Sequence, residues 1–215
     1  MSKTPPDPPK NCPLCPRLVA YREANARAEP SWFNGPAPSF GDRDARLLIV
    51  GLAPGRMGAN RTGRPFTGDY AGELLYGTLK KFGFAKGDYK ADPKDGLTLV
   101  GAMITNAVRC APPENKPTPE EIRTCRPFLS ARIRELPKLK VILALGSIAH
   151  ESVLRAHAMK PSEAKFAHAG EAKLLNGQLL VSSYHCSRYN TQTRRLTTEM
   201  FENVMARAKE LTSAR

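Results

Sequence analysis

Four stretches of the chain are almost continuously apolar, and each has the length of a β-strand. They are residues 46–52 (RLLIVGL), 99–106 (LVGAMITN), 140–146 (KVILALG) and 178–184 (QLLVSSY). Strands that are covered on both faces lack the alternation of apolar and polar positions seen in half-exposed strands. The pattern therefore predicts four strands in the middle of a domain.

Between and after these strands, apolar residues recur with helical spacing. The predicted helices are residues 70–82, 118–136, 147–159 and 195–211. Alternating strands and helices are typical of an α/β fold with a parallel sheet. Ligands of such sheets bind beyond the carboxyl ends of the strands. The segments that follow strands, which include Asn106 and residues 184–190 (YHCSRYN), are therefore expected to meet at one edge.

Local signals predict how two of the helices begin. The helix at 118–136 starts with TPEE, so Thr118 is its predicted N-cap, with Pro119 in the first turn and Glu121 closing a capping box. Ser147 is the predicted N-cap of the next helix. These signals place both helix starts directly after loops.

The segment after the first predicted strand is rich in glycine. Residues 51–69, GLAPGRMGANRTGRPFTGD, contain five glycines and two prolines and match neither a P-loop nor a G-x-G-x-x-G motif. The segment also holds one phenylalanine and three arginines. An aromatic ring among arginines, on a backbone that a ligand can approach closely, suits a base stacked beside its phosphates. The alternative is a long glycine-rich crossover without a ligand.

Charge and length narrow the choice of partner. The chain has 215 residues, a net charge of +13 and a pI near 9.8. This excess of positive charge favours binding to a polyanion such as nucleic acid. The alternative is that the charge serves only to keep the protein in solution. No apolar run approaches the roughly 18–20 residues of a membrane helix, and the polar N-terminus does not resemble a secretory signal. We expect one domain over residues 1–215, with residues 1–10 as a loose arm, in the cytoplasm near the nucleoid and without a membrane partner.

Four of the five cysteines fall into two groups. Cys12 and Cys15 form a C-x2-C pair, and Cys110 and Cys125 lie 15 positions apart. Disulfides are rare in cytosolic proteins, whereas four thiolates can hold an iron–sulfur cluster or zinc. The spacing leaves both open, together with the alternative of unrelated buried cysteines. Cys186 is expected to be a small buried residue.

Three blocks of sequence, together with these cysteines, resemble a known family. GLAPG…NRTGRPFTGD, ITNAVRC and SSYHCSRYNTQT are similar, in that order, to conserved blocks of the uracil-DNA glycosylase superfamily, and most of all to the B type of its iron–sulfur branch, called family five. The resemblance implies a three-layer α/β sandwich around a mainly parallel, four-stranded sheet. It also implies a DNA glycosylase that removes uracil, and other deaminated bases such as hypoxanthine, and a 4Fe-4S cluster, with zinc as the alternative. The implied ligands are Cys12, Cys15, Cys110 and Cys125.

The resemblance also implies roles in a base-binding pocket. Phe66 would stack on the extruded base, and the amide of Asn106 would pair with its Watson–Crick edge. His185 would donate a hydrogen bond to O2 of the departing uracil, an oxyanion-hole role. The loop around the base would include Gly51, Ala53 and Gly55. A core phenylalanine, a turn asparagine and a structural histidine are the alternatives.

The sequence departs from other branches of the family at the position that activates water. Those branches carry an acidic or amide residue just after the first glycine of the first block, where this chain has Leu52 and Ala53. The B type resembles the chain in lacking the acid. Asp69 is the candidate for activating water, and its alternative role is that of N-cap for the helix that begins at Tyr70.

The expected DNA contacts lie in the glycine-rich segment and after His185. The family places a minor-groove insertion loop after this histidine, and Arg188 is the candidate wedge. The predicted DNA-binding residues are Arg56, Arg61, Arg64, Ser187, Arg188 and Asn190. The alternative is an ordinary polar loop that caps the last helix.

Three functions are compatible with these residues. The first is a base-excision enzyme, expected to be a monomer, that acts on deaminated DNA. The second is a non-catalytic iron–sulfur or zinc module that binds nucleic acid, which the missing acid at Leu52 and Ala53 would explain. The third is a hydrolase of free nucleotides that uses the same edge of an α/β sheet.

Overall fold

The computed structural model describes residues 5–213, and its centre is a six-stranded sheet. The strands are β1 (Phe40–Gly41), β2 (Leu47–Gly51), β3 (Ala85–Lys86), β4 (Thr98–Leu99), β5 (Ala102–Asn106), β6 (Val141–Leu145), β7 (Glu171–Lys173) and β8 (Leu179–Ser183). Six of them form the central sheet in the order β1-β5-β2-β6-β8-β7, and β3 pairs with β4 in a separate two-stranded sheet.

The four predicted strands form the parallel centre of this sheet. β5, β2, β6 and β8 pair in parallel, while β1 and β7 add antiparallel edges. The prediction of four strands was therefore too low, because edge strands of two and three residues leave no apolar run to recognise. Leu99 belongs to β4 rather than to the central strand, since Gly101, with a φ of 60°, turns the chain between β4 and β5.

Seven α-helices are found within residues 5–213. They are α1 (Pro16–Ala28), α2 (Ala59–Thr62), α3 (Tyr70–Lys81), α4 (Pro119–Glu135), α5 (Ser147–Ala156), α6 (Arg188–Gln192) and α7 (Thr198–Ser213). None of the helices in this range is long and apolar enough to span a bilayer.

The helix starts agree with the predicted caps in part. Thr118 and Glu121 form the predicted capping box on α4. The prediction that Ser147 caps α5 is wrong: the N-cap is Gly146, and Ser147 is the first helical residue. The last helix begins at Thr198 rather than Arg195: residues 193–196 form a turn and a bend, in which Arg194 has a left-handed backbone (φ 57°).

Alternate residues of the central strands face two separate cores. Leu47 and Ile49 pack with apolar residues of α3 and α7 on one face, and Leu48 and Val50 pack with those of α4 and α5 on the other. This arrangement explains why the strands are apolar at every position. It confirms the three-layer sandwich with a mainly parallel sheet.

The N-terminal segment is held by the domain over its described residues. The Asp7 carboxylate accepts hydrogen bonds from the backbone and hydroxyl of Ser39, at 3.0 and 2.9 Å, and forms ion pairs with Arg109 and Arg132. The predicted loose arm is therefore wrong for residues 5–10, because a buried arginine needs this carboxylate as its partner. Residues 1–4 of the predicted arm lie outside the described range.

Candidate active site

Three segments meet at the carboxyl edge of the sheet, as the strand pattern predicted. Gly51, the last residue of β2, is in register with Asn106, the last residue of β5. His185 follows β8, and the glycine-rich segment returns Phe66 to the same edge. The ring centroids of Phe66 and His185 are 5.8 Å apart, with 28° between their planes. A ring, an amide and an imidazole are thus within reach of one small ligand.

Gly51 is required by the close approach of two of these side chains. A Cβ atom on Gly51 would lie 2.5 Å from Oδ1 of Asn106 and 2.7 Å from Cζ of Phe66. Gly58 similarly leaves room for the carboxylate of Asp69. These two glycines therefore allow the site's own side chains to lie against the backbone.

The side chains surround a pocket of about 390 Å³. Its lining is formed by the glycine-rich loop, the start of α3, the end of β5, the loop after β8 with the start of α6, and the loop that carries Asn115. The lining residues are Leu52, Ala53, Pro54, Gly55, Phe66, Asp69, Tyr70, Ala71, Asn106, Asn115, His185, Ser187 and Arg188.

Asn106 carries an unsatisfied acceptor in this pocket. The residue is only 3% exposed, and its Oδ1 atom has no hydrogen-bond partner among the described residues. A buried polar atom without a partner is costly, and most such atoms in native proteins are satisfied. The open acceptor of this amide is available to a hydrogen-bond donor on a ligand.

His185 is neutral and its ring is free to bind. Burial lowers the pKa of His185 to about 4, so the imidazole carries one N–H and no charge at neutral pH. Neither ring nitrogen forms a hydrogen bond with another described residue, while the backbone carbonyl accepts one from Nδ2 of Asn190 at 2.8 Å. Asn190 therefore helps to position the histidine.

Asp69 is located where it can serve as a helix N-cap and can also face the pocket, the two roles considered for it from the sequence. It is the N-cap of α3, where Oδ1 accepts a hydrogen bond from the backbone N–H of Gly72 at 3.2 Å. Its side chain also lines the pocket. Burial raises the pKa of Asp69, although hydrogen bonds from Gly72 and Ala71 act in the opposite direction. A carboxylate of raised pKa beside a pocket is a reasonable proton acceptor.

Comparisons with known proteins identify the family. Residues 38–209 match the family model described as the uracil DNA glycosylase superfamily, which is most of the chain. The chain belongs to the uracil DNA glycosylase superfamily. Its predicted resemblance to this superfamily is therefore confirmed.

Relatives within the superfamily support the predicted branch. The chain is 48% identical to a type-5 uracil-DNA glycosylase of Thermus thermophilus over 206 residues, covering 93% of both chains. It is 40% identical to a type-5 uracil-DNA glycosylase of Pyrobaculum aerophilum, covering 92% of this chain and 88% of the relative. A type-4 uracil-DNA glycosylase of the same organism is 36% identical over 67% of this chain and 60% of its own. The family-five resemblance is thus also confirmed.

Of the three exposed or half-buried arginines predicted to bind DNA, Arg188 lines the pocket, while Arg56 and Arg61 lie in the glycine-rich segment outside its lining. Arg188 is exposed, with its guanidinium 5.1 Å from the centroid of the Tyr70 ring. Arg56 is half-buried and lies 4.9 Å from the centroid of the Trp32 ring. Arg61 is also half-buried and donates to the Met57 carbonyl at 3.0 Å. Ser187 lines the pocket and is the N-cap of α6.

Arg64, by contrast, is not available to DNA, and the prediction that it binds DNA is wrong. The residue is 5% exposed and forms two hydrogen bonds with the carboxylate of Asp95, at 2.8 and 2.7 Å. Its guanidinium also packs over the rings of Phe40, Tyr76 and Tyr89. The glycine-rich segment therefore uses Arg64 to fix itself to the 88–97 loop.

Removing the partner of Arg64 is expected to destabilise the fold. Asp95→Ala would leave a buried guanidinium unpaired, which typically costs about 3–5 kcal/mol. Urea unfolding would measure the loss, with Asp88→Ala as the matched control, because Asp88 pairs with Lys80 on the exposed surface. Equal unfolding midpoints for the two variants would contradict a structural role for the Arg64–Asp95 pair.

The four cysteines predicted as ligands come together beside the pocket. They line one small cavity with Leu18, Val108 and Phe128, and Ala53 packs against the same cluster. The side chain of Arg22 donates to Sγ of Cys110 at 3.9 Å, and the backbone N–H of Arg109 donates to Sγ of Cys125 at 3.3 Å. Among residues 5–213, all five cysteines are free thiols, and no group of three or more His, Cys, Asp or Glu side chains is arranged to hold a single metal ion.

The structure adds two polar pocket residues that sequence reasoning missed, Tyr70 and Asn115. Tyr70 was recognised only as the start of a helix. Asn115 ends the PPEN turn, which lies between Cys110 and Cys125 in the sequence. The sequence there indicates a turn and gives no sign of a binding residue. Neither residue belongs to a segment that directly follows a strand.

Proposed function

We propose that this protein is a uracil-DNA glycosylase that starts base excision repair by extruding uracil from DNA and hydrolysing its N-glycosidic bond. A base inside a duplex cannot be reached by an enzyme and must be turned out into a pocket. The observation that carries the proposal is the buried, unpartnered amide of Asn106 in a pocket that also contains the rings of Phe66 and His185. The names of the relatives support the same activity.

The amide of Asn106 selects uracil by hydrogen bonding. Oδ1 accepts the N3–H of uracil, and Nδ2 donates to O4. Cytosine has no N3–H and presents an amino group at position 4, so it would leave the buried Oδ1 unpaired. Sites built on a buried hydrogen bond reject ligands that cannot form it. Phe66 stacks on the face of the base, and the backbone around Gly51, Ala53 and Gly55 encloses it.

His185 stabilises the leaving group. When the bond between N1 and C1′ breaks, its electron pair goes to the base, and negative charge develops on O2. The neutral imidazole donates its N–H to that oxygen, in a pocket where burial strengthens the interaction. Asn190 holds the histidine backbone in place.

Asp69 accepts the proton of the attacking water. Water adds to C1′ of the sugar, which carries cationic character, and Asp69 takes up the proton as the new C–O bond forms. Leu52 and Ala53 line the pocket and have no group that can do this. The products are free uracil and an abasic site.

The pH profile of uracil release tests these assignments. Because burial keeps His185 neutral above a pKa of about 4, we expect kcat to pass through the ordinary histidine range near pH 6.5 without a change. On the acid side of the profile, activity should fall when Asp69 is protonated and can no longer accept a proton. Because the pKa of Asp69 is raised, this acid limb should lie at a higher pH than the usual aspartate range. Asp69→Asn should abolish the limb along with most activity. An acid limb near pH 6.5 that persists in Asp69→Asn would contradict a neutral His185.

DNA is held by Arg188 at the pocket and by two arginines of the glycine-rich segment. Arg188 enters the gap left by the extruded nucleotide, and Arg56 and Arg61 neutralise flanking phosphates. Ser187 contributes its hydroxyl to a neighbouring phosphate, and Asn190 supports the same segment. We further propose that the enzyme acts as a monomer, in the cytoplasm, on the DNA of the nucleoid.

The cysteine cluster is suited to a 4Fe-4S group held by Cys12, Cys15, Cys110 and Cys125. A lone zinc ion needs its sulfurs about 2.3 Å from one centre, whereas each thiolate of a four-iron cluster binds a different iron and the sulfurs are spread further apart. Four free thiols that line one cavity supply the number of thiolates that a four-iron cluster binds. The cluster would join the N-terminal segment to the loop and helix that carry Cys110 and Cys125.

Release of uracil from DNA tests the proposed function directly. A duplex with one uracil, incubated with the protein and then with alkali, should break at that site, while the same duplex with thymine should stay intact. Duplexes with hypoxanthine test the wider range of deaminated bases. Salt-dependent binding without strand breakage would indicate a non-catalytic nucleic-acid module, and release of phosphate from free nucleotides would indicate a hydrolase of nucleotides.

A further inference from the structure

A second cavity borders the glycine-rich segment and is separate from the pocket that receives the base. It has a volume of about 510 Å³, and its walls come from residues 31–33, from the glycine-rich segment and from the 88–97 loop. Volumes of this size are typical of ligand sites. Two aromatic residues and an arginine are part of the lining, namely Trp32, Phe33 and Arg61. None of the residues that line this cavity also lines the base pocket.

Contacts between the segments fix the walls of this cavity. The backbone N–H of Phe33 donates to the carbonyl of Arg61 at 3.0 Å, and that of Asn34 donates to the carbonyl of Asn60 at 2.9 Å. The buried arginine–aspartate pair described above joins the 88–97 loop to the same glycine-rich segment. The cavity is therefore formed before a ligand arrives, which lowers the ordering cost of binding.

Trp32 offers an aromatic surface to this cavity. The residue is half-buried, and its indole N–H has no hydrogen-bond partner among the described residues. The guanidinium of Arg56 lies 4.9 Å from the ring centroid and is held there by a 2.8 Å hydrogen bond from Nε to Oδ1 of Asn25. Arg56 does not line the cavity, so it leaves another part of the indole open to a ligand. Aromatic rings beside cations are the usual platforms for unpaired bases.

Arg61 connects the cavity to the base pocket. Its Nε donates to the carbonyl of Met57 at 3.0 Å, and its other side-chain N–H groups have no hydrogen-bond partner among the described residues. A Cβ atom on Gly68 would lie 2.6 Å from Nη2 of Arg61, so the guanidinium packs against the backbone that precedes Asp69. Asp69 lines the base pocket. A phosphate bound by Arg61 would therefore link a nucleotide in the base pocket to its neighbour in the cavity.

Charge around the cavity favours an anionic ligand. Lys10 lies 5.6 Å from the centroid of the Phe33 ring, and Lys90 and Lys94 are exposed in the loop that forms one wall. Asp92 is the only acidic residue among the described residues of the lining, and its Oδ1 already accepts the backbone N–H of Lys94 at 2.8 Å. Aromatic rings with an arginine and surrounding lysines suit a nucleotide, because the rings bind its base and the cations bind its phosphate.

We propose that this cavity is a nucleobase site for single-stranded DNA, in which an unpaired base next to the extruded uracil nucleotide stacks on Trp32 and the phosphate between them binds Arg61. The inference rests on the proposed function. In a duplex the neighbouring bases stay paired and stacked, so they cannot enter the cavity. A single strand has no such constraint, and stacking accepts any base because every base has an aromatic face. The cavity therefore adds affinity for single strands only.

Tryptophan fluorescence reports on the site directly, because Trp32 is the only tryptophan of the chain. The first probe is a thymine strand with one uracil, mixed with the wild-type protein and read before turnover. Stacking of a base on the indole should quench its emission. The same strand with abasic sites on both sides of the uracil, and a duplex that carries the uracil, should cause much less quenching.

Substitutions of Trp32 test the effect of the site on catalysis. The measured quantity is kcat/KM for uracil release from the single strand, divided by kcat/KM for the duplex. Trp32→Leu is expected to lower this ratio by about five- to 100-fold, the usual range for the loss of one base–aromatic stack. Trp32→Phe keeps a ring and should restore most of the ratio. Tyr21→Leu is the matched control and should keep the wild-type ratio, because Tyr21 is a half-buried ring of α1 that lines neither cavity.

The outcomes separate this inference from the proposed function. An unchanged ratio in Trp32→Leu, equal quenching by the three probes, or no quenching would overturn the inference alone. So would a wild type that releases uracil from duplexes but not from single strands. If Trp32→Leu does not fold, the quenching of the wild type decides. A wild type that releases uracil from neither substrate would overturn the proposed function and this inference with it.

Discussion

Replacement of His185 by alanine is expected to lower kcat for uracil release by about 100- to 1000-fold, the usual loss when one oxyanion donor is removed. The loss should fall on catalysis because the imidazole meets charge that develops only as the N1–C1′ bond breaks. Affinity for uracil-containing DNA should change little, since the contacts expected to hold the duplex come from Arg56, Arg61 and Arg188.

Single-turnover kinetics and DNA titrations measure these two quantities separately. His157→Ala is the matched control, because His157 ends α5 and bonds to Val153 and Gln178, away from the pocket. The control should retain wild-type rates. Parallel losses of rate and affinity in His185→Ala would mean that the histidine binds the nucleotide and does not stabilise the leaving group.

From the proposed 4Fe-4S assignment, replacement of Cys110 by serine is expected to remove a chromophore that absorbs at roughly 400 nm and to lower the thermal unfolding temperature. The reason is that metal binding by a clustered set of thiolates contributes directly to folding. Cys110 and Cys125 flank the loop and helix start at 111–124, and Cys12 and Cys15 lie at the start of α1, so loss of the cluster would release both segments.

Cys186→Ser separates the chromophore from general destabilisation. Cys186 is fully buried in the core between the sheet and α7, so its replacement should also lower the unfolding temperature. It should leave the absorbance and the iron content unchanged, because this thiol is not among the four that line the cavity. A colourless wild type that holds one zinc per chain would contradict the assignment of a cluster.

The central strands could be predicted because their sequence has a single explanation. Residues such as Leu47, Leu48, Ile49 and Val50 are apolar in succession since helices cover both faces of the sheet. That placement also predicted the meeting of Asn106, Phe66 and His185, because parallel strands end at one edge. The edge strands gave no such signal, since two or three residues form no pattern.

Arg64 shows where reasoning from residue type fails. The sequence presents it as one more arginine in a glycine-rich loop that suits phosphates. Its partner Asp95 lies 31 positions away, in a segment with no predicted element, so only the folded chain reveals the buried pair. Arg61, three residues earlier in the same loop, remains half-exposed at its surface.

Helix α1 was missed for a related reason. Its residues have no clear apolar face, and only Leu18 and Asn25 are buried. The helix is tied to the rest of the fold by individual contacts, among them Arg17 with Glu121 and Asn25 with Arg56. Contacts of this kind depend on partners far along the chain, which a periodic pattern cannot report.

The two short antiparallel strands that border the sheet have a consequence for self-association. An edge strand with unpaired backbone groups can recruit another chain, and long flat edges lead to aggregation. Here β1 has two residues, and β7 has three, two of which are the charged residues Glu171 and Lys173. Neither border offers enough hydrogen-bonding length for a neighbouring molecule to extend the sheet.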